Sequence, residues 1–362
     1  MRLKRWGISR PFVSVLIDTY NHERFVEQAI VSVLEQDFPP AEREILIVDD
    51  GSTDGSSAII RKFVPRVRYL RKSNGGQASA FNVAIPEARG EIVAFLDGDD
   101  WWAAGKLRRV TETMEAHPTV GMVGHGFIES FESGRERVIA LKKRVHLHLT
   151  SVLAAQAFRL CRCYLGTSRL TLRAEIARKI LPVPEAIVIE ADEYLFTLAA
   201  ASAEFVLLTE PLTHYRIHAG NLFLAGAANL AGARRKQRAL AALVAALGSR
   251  LPACGMPKDV AGSVLEIVEA EAAQLRLMLD GGSPLETYRA ESTVYRIQHG
   301  DAPWGHRVFR HATMIPALLL PPRWFYWARR RLAAQPWYNR ARKKILPAPG
   351  FANVTAPEHV HE

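Results

Sequence analysis

Two clusters of carboxylates are the side chains in this sequence best suited to chemistry. The first is Asp97-Gly98-Asp99, and the second is Asp49-Asp50-Gly51-Ser52. Carboxylate oxygens suit Mg²⁺ or Mn²⁺, and such a cation needs few protein ligands when phosphates supply the rest. A cation bridging a diphosphate would offset the charge that develops on a departing nucleoside diphosphate. Each motif alone is a weak signal, because an acidic turn that caps a helix has the same composition.

Both acidic clusters follow short apolar segments that have the character of buried strands. We predict strands over 11–19, 45–48, 67–70 and 92–96, with helices over 21–36, 56–63 and 77–85 between them. Strands that alternate with single helices form a mainly parallel α/β sheet with helices on both faces. Ligands bind such sheets beyond the carboxyl ends of the strands, so we expect Asp50 and Asp99 to border one cleft. Asn21 is the expected cap of the first helix.

The remainder of the chain is mainly helical in its pattern. We predict helices over 151–159, 173–180, 190–200, 226–250, 258–279 and 285–297, and a strand over 205–208. This pattern indicates a nucleotide-binding domain over 1–225, a helical extension over 226–300 and a separate tail over 301–362.

The tail carries most of the surplus positive charge of the chain. The net charge is +10, and residues 301–350 contain ten Lys or Arg against one acid, Asp301. Four of the seven tryptophans are also here, at Trp304, Trp324, Trp327 and Trp337. Basic and aromatic residues together favour an anionic membrane surface, and the alternative is a helix that packs on the main domain. Because the surplus positive charge lies largely in the tail, we expect no nucleic-acid partner.

Composition also limits the cellular setting. No run reaches the roughly 18 to 20 apolar residues that span a bilayer, and the N-terminus has no secretion signal. The three cysteines, Cys161, Cys163 and Cys254, provide neither a disulfide framework nor a zinc site. We therefore expect a cytoplasmic protein, with peripheral association at the inner face of the cell membrane through the tail.

Four segments, taken together and in order, resemble the family 2 glycosyltransferases of GT-A fold. They are Thr19-Tyr20-Asn21-His22-Glu23, Val48-Asp49-Asp50-Gly51-Ser52-Thr53-Asp54, Asn74-Gly75-Gly76-Gln77 with Ala80 and Asn82, and Phe95-Leu96-Asp97-Gly98-Asp99-Asp100. The similarity covers about residues 11–222. It implies a GT-A type nucleotide-binding domain, a mainly parallel central sheet and, after it, a helical C-terminal extension. It also implies an inverting transferase that uses Mn²⁺ or Mg²⁺ and a UDP-, GDP- or dTDP-sugar.

The resemblance assigns roles to individual residues. It implies that the nucleoside is surrounded by Thr19, Tyr20, Glu23 and Asp50, that Gln77 borders the donor, that Asp97 touches the ribose and that Asp99 binds the metal. From its chemistry alone, a carboxylate at Asp50 is also suited to accept a hydrogen bond from a pyrimidine N–H.

The catalytic base is expected in the segment Ile189-Glu190-Ala191-Asp192-Glu193-Tyr194-Leu195, which occupies the place of the family's Glu-Asp pair. Ala191 stands where glutamate is usual, so Asp192 is the best match and Glu190 and Glu193 are alternatives. The segment Tyr215-Arg216-Ile217-His218 resembles the one that brings a histidine to the metal or diphosphate. His218 is therefore the second expected metal ligand.

Other functional classes fit the sequence less well. A dinucleotide-dependent oxidoreductase needs a glycine-rich turn after the first strand, and the segment Asp18-Thr19-Tyr20-Asn21-His22-Glu23 contains no glycine. The main alternative is a catalytically silent sugar-nucleotide-binding or scaffold protein, because Ala191 departs from the family pattern. The expected acceptor is a hydroxyl of a glycan or lipid-linked oligosaccharide.

Overall fold

The computed structural model describes residues 12–218, 220, 230–299, 304–333 and 335. Its contacts divide the chain into two compact units. The first contains Met1–His148 and Cys163–Ala219, and the second contains Leu149–Arg162 and Gly220–Glu362. The predicted domain boundaries at 225–226 and 300–301 lie outside the described residues, as do Trp337, Arg340, Arg342, Lys343 and Lys344 of the tail.

One ten-stranded sheet forms the centre of the first unit, as far as the described residues go. Its strands are β1 (Val13–Thr19), β2 (Arg43–Asp49), β3 (Arg68–Arg71), β4 (Ile92–Asp97), β5 (Trp101–Trp102), β6 (Val120–Phe131), β7 (Glu136–Ile139), β8 (Val145–Leu147), β9 (Thr171–Arg173) and β10 (Glu204–Ile217). Their order is β3-β2-β1-β4-β9-β6-β10-β5, with β7 beside β6 and β8 beside β10. The four strands β3-β2-β1-β4 are parallel, as is the pair β6 and β10.

Helices flank this sheet and make up the second unit. In the first unit they are α1 (Val26–Leu34), α2 (Ser56–Arg61), α3 (Gln77–Glu87), α4 (Lys106–Ala116), α6 (Ala174–Lys179) and α7 (Ala191–Ser202). In the second unit they are α5 (Val152–Cys161), α8 (Leu230–Ala253), α9 (Lys258–Asp280), α10 (Pro284–His299), α11 (Trp304–Leu319) and α12 (Pro322–Ala333). A short 3₁₀ turn over Thr167–Arg169 lies in the first unit.

The parallel strands carry apolar side chains on both faces, and both faces of these strands are buried. Val13, Val15 and Ile17 of β1 are at most 1% exposed, and Leu16 on the other face is 2% exposed. Strands buried in this way read as continuous apolar runs. The α/β prediction with a mainly parallel central sheet is thereby confirmed.

Two local predictions were wrong. Asn21 does not cap the first helix, which begins at Val26 with Phe25 as its N-cap. Asn21 instead has a left-handed backbone (φ 58°), and its side-chain oxygen accepts a 2.8 Å hydrogen bond from the backbone N–H of Thr53. The strand predicted over 205–208 extends to Ile217, with register shifts around Pro211.

The helices of the second unit form a core of their own. The last two helices, α11 and α12, contribute Ala317, Phe325 and Tyr326, which pack with Leu277 and Ala290. Across the described residues, no helix is both long enough and apolar enough to cross a membrane.

Asp49 at the end of β2 is a structural carboxylate, and its effect depends on pH. Burial alone would raise its pKa, but hydrogen bonds from Ser52, Ser57 and Tyr69 outweigh burial and lower the pKa. A lowered pKa in the folded state stabilises the protein above the unfolded value of 3.8. We therefore expect Asp49→Asn to lower the free energy of unfolding at pH 7 by about 2 kcal/mol.

Urea unfolding at several pH values measures this effect. The deficit of Asp49→Asn relative to the unmodified protein is expected to shrink as the pH falls below 3.8, because the wild-type carboxylate is then lost as well. Asp37→Asn, at a site whose side chain is 68% exposed, is the matched control. A deficit that stays constant or grows on acidification would contradict the assignment.

Candidate active site

The carboxyl ends of β1 and β4 place several acidic side chains side by side. Asp18 lies opposite Asp97 in the parallel register of the two strands. Ligand oxygens of Asp97, Asp99 and Asp100 all lie within 4.8 Å of one another. The intervening Gly98 is required by close packing, since a Cβ there would lie 2.6 Å from Oγ1 of Thr19. The strand ends therefore form a concentrated acidic cluster.

This cluster is electrostatically unfavourable without a cation. Burial, followed by the charge of Asp99, raises the pKa of Asp18 to about 8. Burial, followed by the charge of Asp18, raises the pKa of Asp97 well above its usual value. Burial and the neighbouring Asp99 raise the pKa of Asp100 to about 7. Oδ1 of Asp18 and Oδ2 of Asp100 are buried and accept no hydrogen bond from any described residue. A divalent cation fits this donor set, because it satisfies oxygens and neutralises charge together.

His218 and Asp99 come together although 119 residues separate them. Nε2 of His218 lies 3.0 Å from Oδ2 of Asp99, and Nε2 of His22 lies 3.9 Å from the same oxygen. Burial alone would raise the pKa of Asp99, but the contact with His218 and the charge of His22 lower it. Two ligands of one octahedral cation, each roughly 2.1 Å from it, lie about 3 Å apart. Asp99 and His218 therefore have the spacing of a shared cation site.

Arg216 holds the segment that carries His218. Its guanidinium lies between the rings of Phe25 and Trp101, 4.6 and 4.4 Å from the ring centroids. Its Nε donates to the backbone carbonyl of Asp99 at 2.8 Å, and the ring of Phe25 lies 4.7 Å from the imidazole of His218. One side chain thus connects β10 with both loops that border the acidic cluster.

We expect Arg216→Lys to weaken binding of Mn²⁺ about tenfold, because a supporting contact orients the first ligands of a metal site. Lysine keeps the charge but lacks the planar group that stacks between two rings. Titration of the protein with Mn²⁺, followed by electron paramagnetic resonance, measures the change. Arg24→Lys is a matched control, since Arg24 also stacks on Phe25 and its side chain is 71% exposed. Equal affinity in Arg216→Lys and the control would contradict the positioning role.

Asp50 lies at the end of β2 and fastens the loop that follows β3. Its Oδ1 accepts hydrogen bonds from Nζ of Lys72 at 2.6 Å and from the backbone N–H of Gly75 at 3.0 Å. Its Oδ2 accepts one from the backbone N–H of Gly76 at 2.7 Å. Asp18 lies within electrostatic range of Asp50 and also of Asp99. In the parallel register Asp49 pairs with Thr19 and Asp97 with Asp18, so the two acidic strand ends lie at the same edge of the sheet, on either side of β1.

The next predicted site residues lie at the end of β1 and in the loop that follows it. The side-chain oxygen of Thr19 lies 3.3 Å from Nδ1 of His22, and the ring of Tyr20 is 42% exposed. Oε2 of Glu23 accepts a 2.7 Å hydrogen bond from the backbone N–H of Gly55. Of these three predicted nucleoside-binding residues, Thr19 is the last residue of β1, and Tyr20 and Glu23 lie in the loop after it, with Tyr20 open to solvent and Glu23 joined to the loop after β2.

The turn Thr167–Arg169 connects Asp97 with Asp192. Oγ of Ser168 accepts a 3.0 Å hydrogen bond from the backbone N–H of Asp97 and donates to its Oδ2 at 3.3 Å. The backbone N–H and Oγ1 of Thr167 donate to Oδ2 of Asp192 at 3.1 and 3.3 Å. Nε2 of Gln77 donates to Oγ1 of Thr167 at 3.0 Å and to Oδ1 of Asp97 at 3.3 Å. Gln77, Asp97 and Asp192 thus belong to one hydrogen-bond network.

The first turn of α7 distinguishes the three candidate bases. Ala191 is fully buried, and its backbone N–H donates to Oε1 of Gln77 at 3.2 Å. Glu190 has a left-handed backbone (φ 63°), and Glu193 is 5% exposed. Asp192 is the candidate that the network joins to Asp97, and it lies within electrostatic range of Asp18.

Five residues of the site were not predicted from the sequence: Asp18, His22, Thr167, Ser168 and Arg216. The position of Asp18 one residue before Thr19 in the first strand is a signal that points to it. Thr167 and Ser168 carry no such signal, because their partners lie 25 to 90 residues away along the chain.

Comparison with known proteins identifies the family. The family model described as Glycosyl transferase family 2 matches residues 14–173. An uncharacterized glycosyltransferase of Nostoc sp., alr2836, is 33% identical over 235 residues, which are 63% of this chain and 71% of the relative. The chain belongs to glycosyltransferase family 2.

Other relatives match over shorter lengths. The uncharacterized glycosyltransferase EpsJ of Bacillus subtilis is 36% identical over 131 residues, which are 35% of this chain and 37% of EpsJ. The poly(ribitol-phosphate) beta-N-acetylglucosaminyltransferase TarS of Staphylococcus aureus is 32% identical over 144 residues, which are 36% of this chain and 25% of TarS. The match thus spans little more than a third of EpsJ and a quarter of TarS.

Solved structures show the same fold. S. aureus TarS superposes with a TM-score of 0.54 at 17% identity, over 81% of this chain and 49% of TarS. The mannosyltransferase PcManGT of Pyrobaculum calidifontis superposes with a TM-score of 0.51 at 20% identity, over 94% of this chain and 87% of that protein. The fold is that of the GT-A glycosyltransferases.

Proposed function

We propose that this protein is an inverting, metal-assisted hexosyltransferase that moves a sugar from a nucleoside diphosphate sugar to a hydroxyl of a glycan or lipid-linked acceptor. The observation that supports the proposal is that Asp99 lies 3.0 Å from His218, while Gln77 and Thr167 link the neighbouring Asp97 to Asp192 by hydrogen bonds. Two structural relatives have been solved with sugar nucleotides, TarS with UDP-GlcNAc and PcManGT with GDP-Man and Mn²⁺. We assign the transfer to residues 1–225.

Nucleotide recognition is assigned to the loops after β1, β2 and β3. Thr19, Tyr20, Glu23 and Asp50 would surround the nucleoside, and the exposed ring of Tyr20 offers a face on which a base can stack. Asp97 would accept a hydrogen bond from the ribose. Nε2 of Gln77 donates to Oδ1 of Asp97 at 3.3 Å and so helps to orient this carboxylate.

Asp99 and His218 would hold Mn²⁺ or Mg²⁺, and the bound cation would neutralise charge on the leaving diphosphate. The carboxyl groups of Asp18 and Asp100, whose pKa values are raised to about 8 and about 7, belong to the same cluster, and a bound cation would favour their ionised forms. The buried surroundings exclude water and strengthen every charge interaction in the site.

Asp192 would be the general base. Its Oδ2 is held by Thr167 and its Oδ1 accepts a 2.9 Å hydrogen bond from the backbone N–H of Glu193, so the carboxylate cannot rotate freely. Oδ2 accepts two hydrogen bonds from Thr167, whereas Oδ1 accepts one, so the second lone pair of Oδ1 remains available to receive the proton of an acceptor hydroxyl. As the acceptor oxygen attacks the anomeric carbon and the diphosphate leaves from the opposite face, the configuration inverts.

A donor screen tests the proposed function. The protein is incubated with Mn²⁺ and UDP-, GDP- and dTDP-sugars, and release of nucleoside diphosphate is measured with and without EDTA. We expect metal-dependent release from one class of donor. Binding of a sugar nucleotide without release, in the presence of glycan and lipid-linked acceptors, would favour the silent binder instead.

We also propose that α11 and α12 dock on an anionic membrane surface, which places the protein at the cytoplasmic face of the cell membrane. Their sequences contain six arginines and no acidic residue. While Phe325 and Tyr326 pack inward, Trp324 and Trp327 are 68% and 57% exposed and Leu319 is 74% exposed. Indole rings at headgroup depth, flanked by arginines, favour such a surface.

Sedimentation with lipid vesicles tests this docking. The full chain is expected to bind phosphatidylcholine vesicles that contain about one quarter phosphatidylglycerol, and to lose most of this binding in the double variant Trp324→Ala/Trp327→Ala. Arg235→Gln/Arg238→Gln, which removes two exposed charges from α8, is the control. Unchanged sedimentation of the tryptophan variant would contradict the docking.

A further inference from the structure

Arg169 is a partly buried cation that the proposed mechanism does not use. Its guanidinium lies over the ring of Phe127, 4.3 Å from the centroid, and 5.5 Å from the ring centroid of Tyr215. Its Nε and Nη1 are buried and donate no hydrogen bond. Throughout the described part of the chain, no carboxylate lies within ion-pair distance of it.

Other partly buried arginines of the same unit are satisfied by the protein. Arg43 donates to the backbone carbonyls of Leu34, Gln36 and Phe38, and Arg173 donates to those of Val120 and Met114. Guanidinium nitrogens that are buried without hydrogen bonds, as Nε and Nη1 of Arg169 are, are costly and rare in native proteins. The partner of Arg169 is therefore to be sought in a ligand.

The position of Arg169 indicates where this ligand lies. Arg169 ends the turn whose two preceding residues, Thr167 and Ser168, hold Asp192 and Asp97. The guanidinium rests against the backbone of Gly166, where a Cβ would lie 2.0 Å from Nη2. The positive charge of Arg169 acts on Asp100, where it opposes the rise in pKa, so the turn brings a cation close to the acidic cluster.

We propose that Arg169 binds a phosphate group of a substrate through its guanidinium. The planar guanidinium matches the geometry of phosphate oxygens, and its contacts with the rings of Phe127 and Tyr215 orient it before the ligand binds. This inference rests on the proposed function, which brings a diphosphate into the cleft. The phosphate has two possible sources, the diphosphate of the donor and a phosphate carried by the acceptor.

Calorimetry with Arg169→Met and Arg169→Lys separates these sources. UDP, GDP and dTDP are titrated into the full-length protein with Mn²⁺, and inorganic phosphate is then titrated into the nucleotide complex. If the donor supplies the phosphate, Arg169→Met weakens nucleotide binding about tenfold or more. If the acceptor supplies it, nucleotide binding is unchanged and binding of inorganic phosphate to the complex is lost. Arg169→Lys, which keeps the charge without the fork, is expected to fall between wild type and Arg169→Met.

The control is Arg109→Met, whose arginine lies in the same unit and pairs with Glu210 and Glu112. Thermal unfolding verifies that each variant is folded. If Arg169→Met is unfolded, the binding measurements are made with Arg169→Lys. Unchanged binding of both nucleotide and phosphate in a folded Arg169 variant would overturn this inference alone. A wild-type protein that binds nucleotide and releases none from any donor would instead contradict the proposed transfer.

Discussion

Replacement of Asp192 by asparagine is expected to lower kcat by about 10²- to 10⁴-fold, the range contributed by a general base. Asparagine has nearly the same shape and still accepts hydrogen bonds from Thr167, so the turn stays in place. It cannot take a proton from the acceptor hydroxyl. The affinity for the donor, measured by calorimetry with Mn²⁺, is therefore expected to remain within about twofold of wild type, since the loss is confined to the transition state.

The alternatives for the base provide the controls. Glu190→Gln and Glu193→Gln remove the neighbouring carboxylates in the same way, and we expect both variants to retain kcat within about tenfold of wild type. If Asp192→Asn retains near-normal kcat while Glu190→Gln or Glu193→Gln loses it, the base has been assigned to the wrong residue. If all three lose activity together with donor binding, the first turn of α7 has a structural role instead.

Asp99→Ala is expected to abolish metal-dependent nucleotide binding, with a loss of about 100-fold or more in Mn²⁺ affinity. Changes in supporting residues already cost about 10- to 100-fold, and Asp99 would be a direct ligand. His218 then faces the cleft without its 3.0 Å partner. Titration with Mn²⁺ in the presence of UDP or GDP measures the change.

Removal of metal from the wild-type protein with EDTA is expected to reproduce the effect of Asp99→Ala. Asp37→Asn is the matched control, because it removes one exposed carboxylate from the same unit. Mn²⁺ affinity in Asp99→Ala equal to that in Asp37→Asn would show that the cation does not bind at Asp99.

The parallel strands could be predicted because their signal is local. Each of β1, β2 and β4 is a short run of apolar residues, and the acidic residues at the ends of β2 and β4 are adjacent in sequence to these runs. β6 gave no such signal. It contains Gly121, Gly124 and Gly126, which interrupt the apolar run. It also contains His125, a buried polar residue whose Nδ1 lies 2.7 Å from the backbone carbonyl oxygen of Gly126.

The support of the site could not be predicted for a different reason. Thr167 and Ser168 are ordinary residue types, and their importance arises only when the turn Thr167–Arg169 meets β4 and α7 in three dimensions. Ala191 shows the same limit. The sequence marks it as a departure from the family pattern, whereas the structure places it in the core with its backbone bound to Gln77.

The proposed reaction depends on one cation held where β4 and β10 end. Crystals grown with Mn²⁺ and UDP or GDP, measured at the manganese absorption edge, locate that cation directly. We predict one strong anomalous peak in contact with Asp99, His218 and the diphosphate. A nucleotide bound in the cleft with no manganese beside Asp99 would contradict the account.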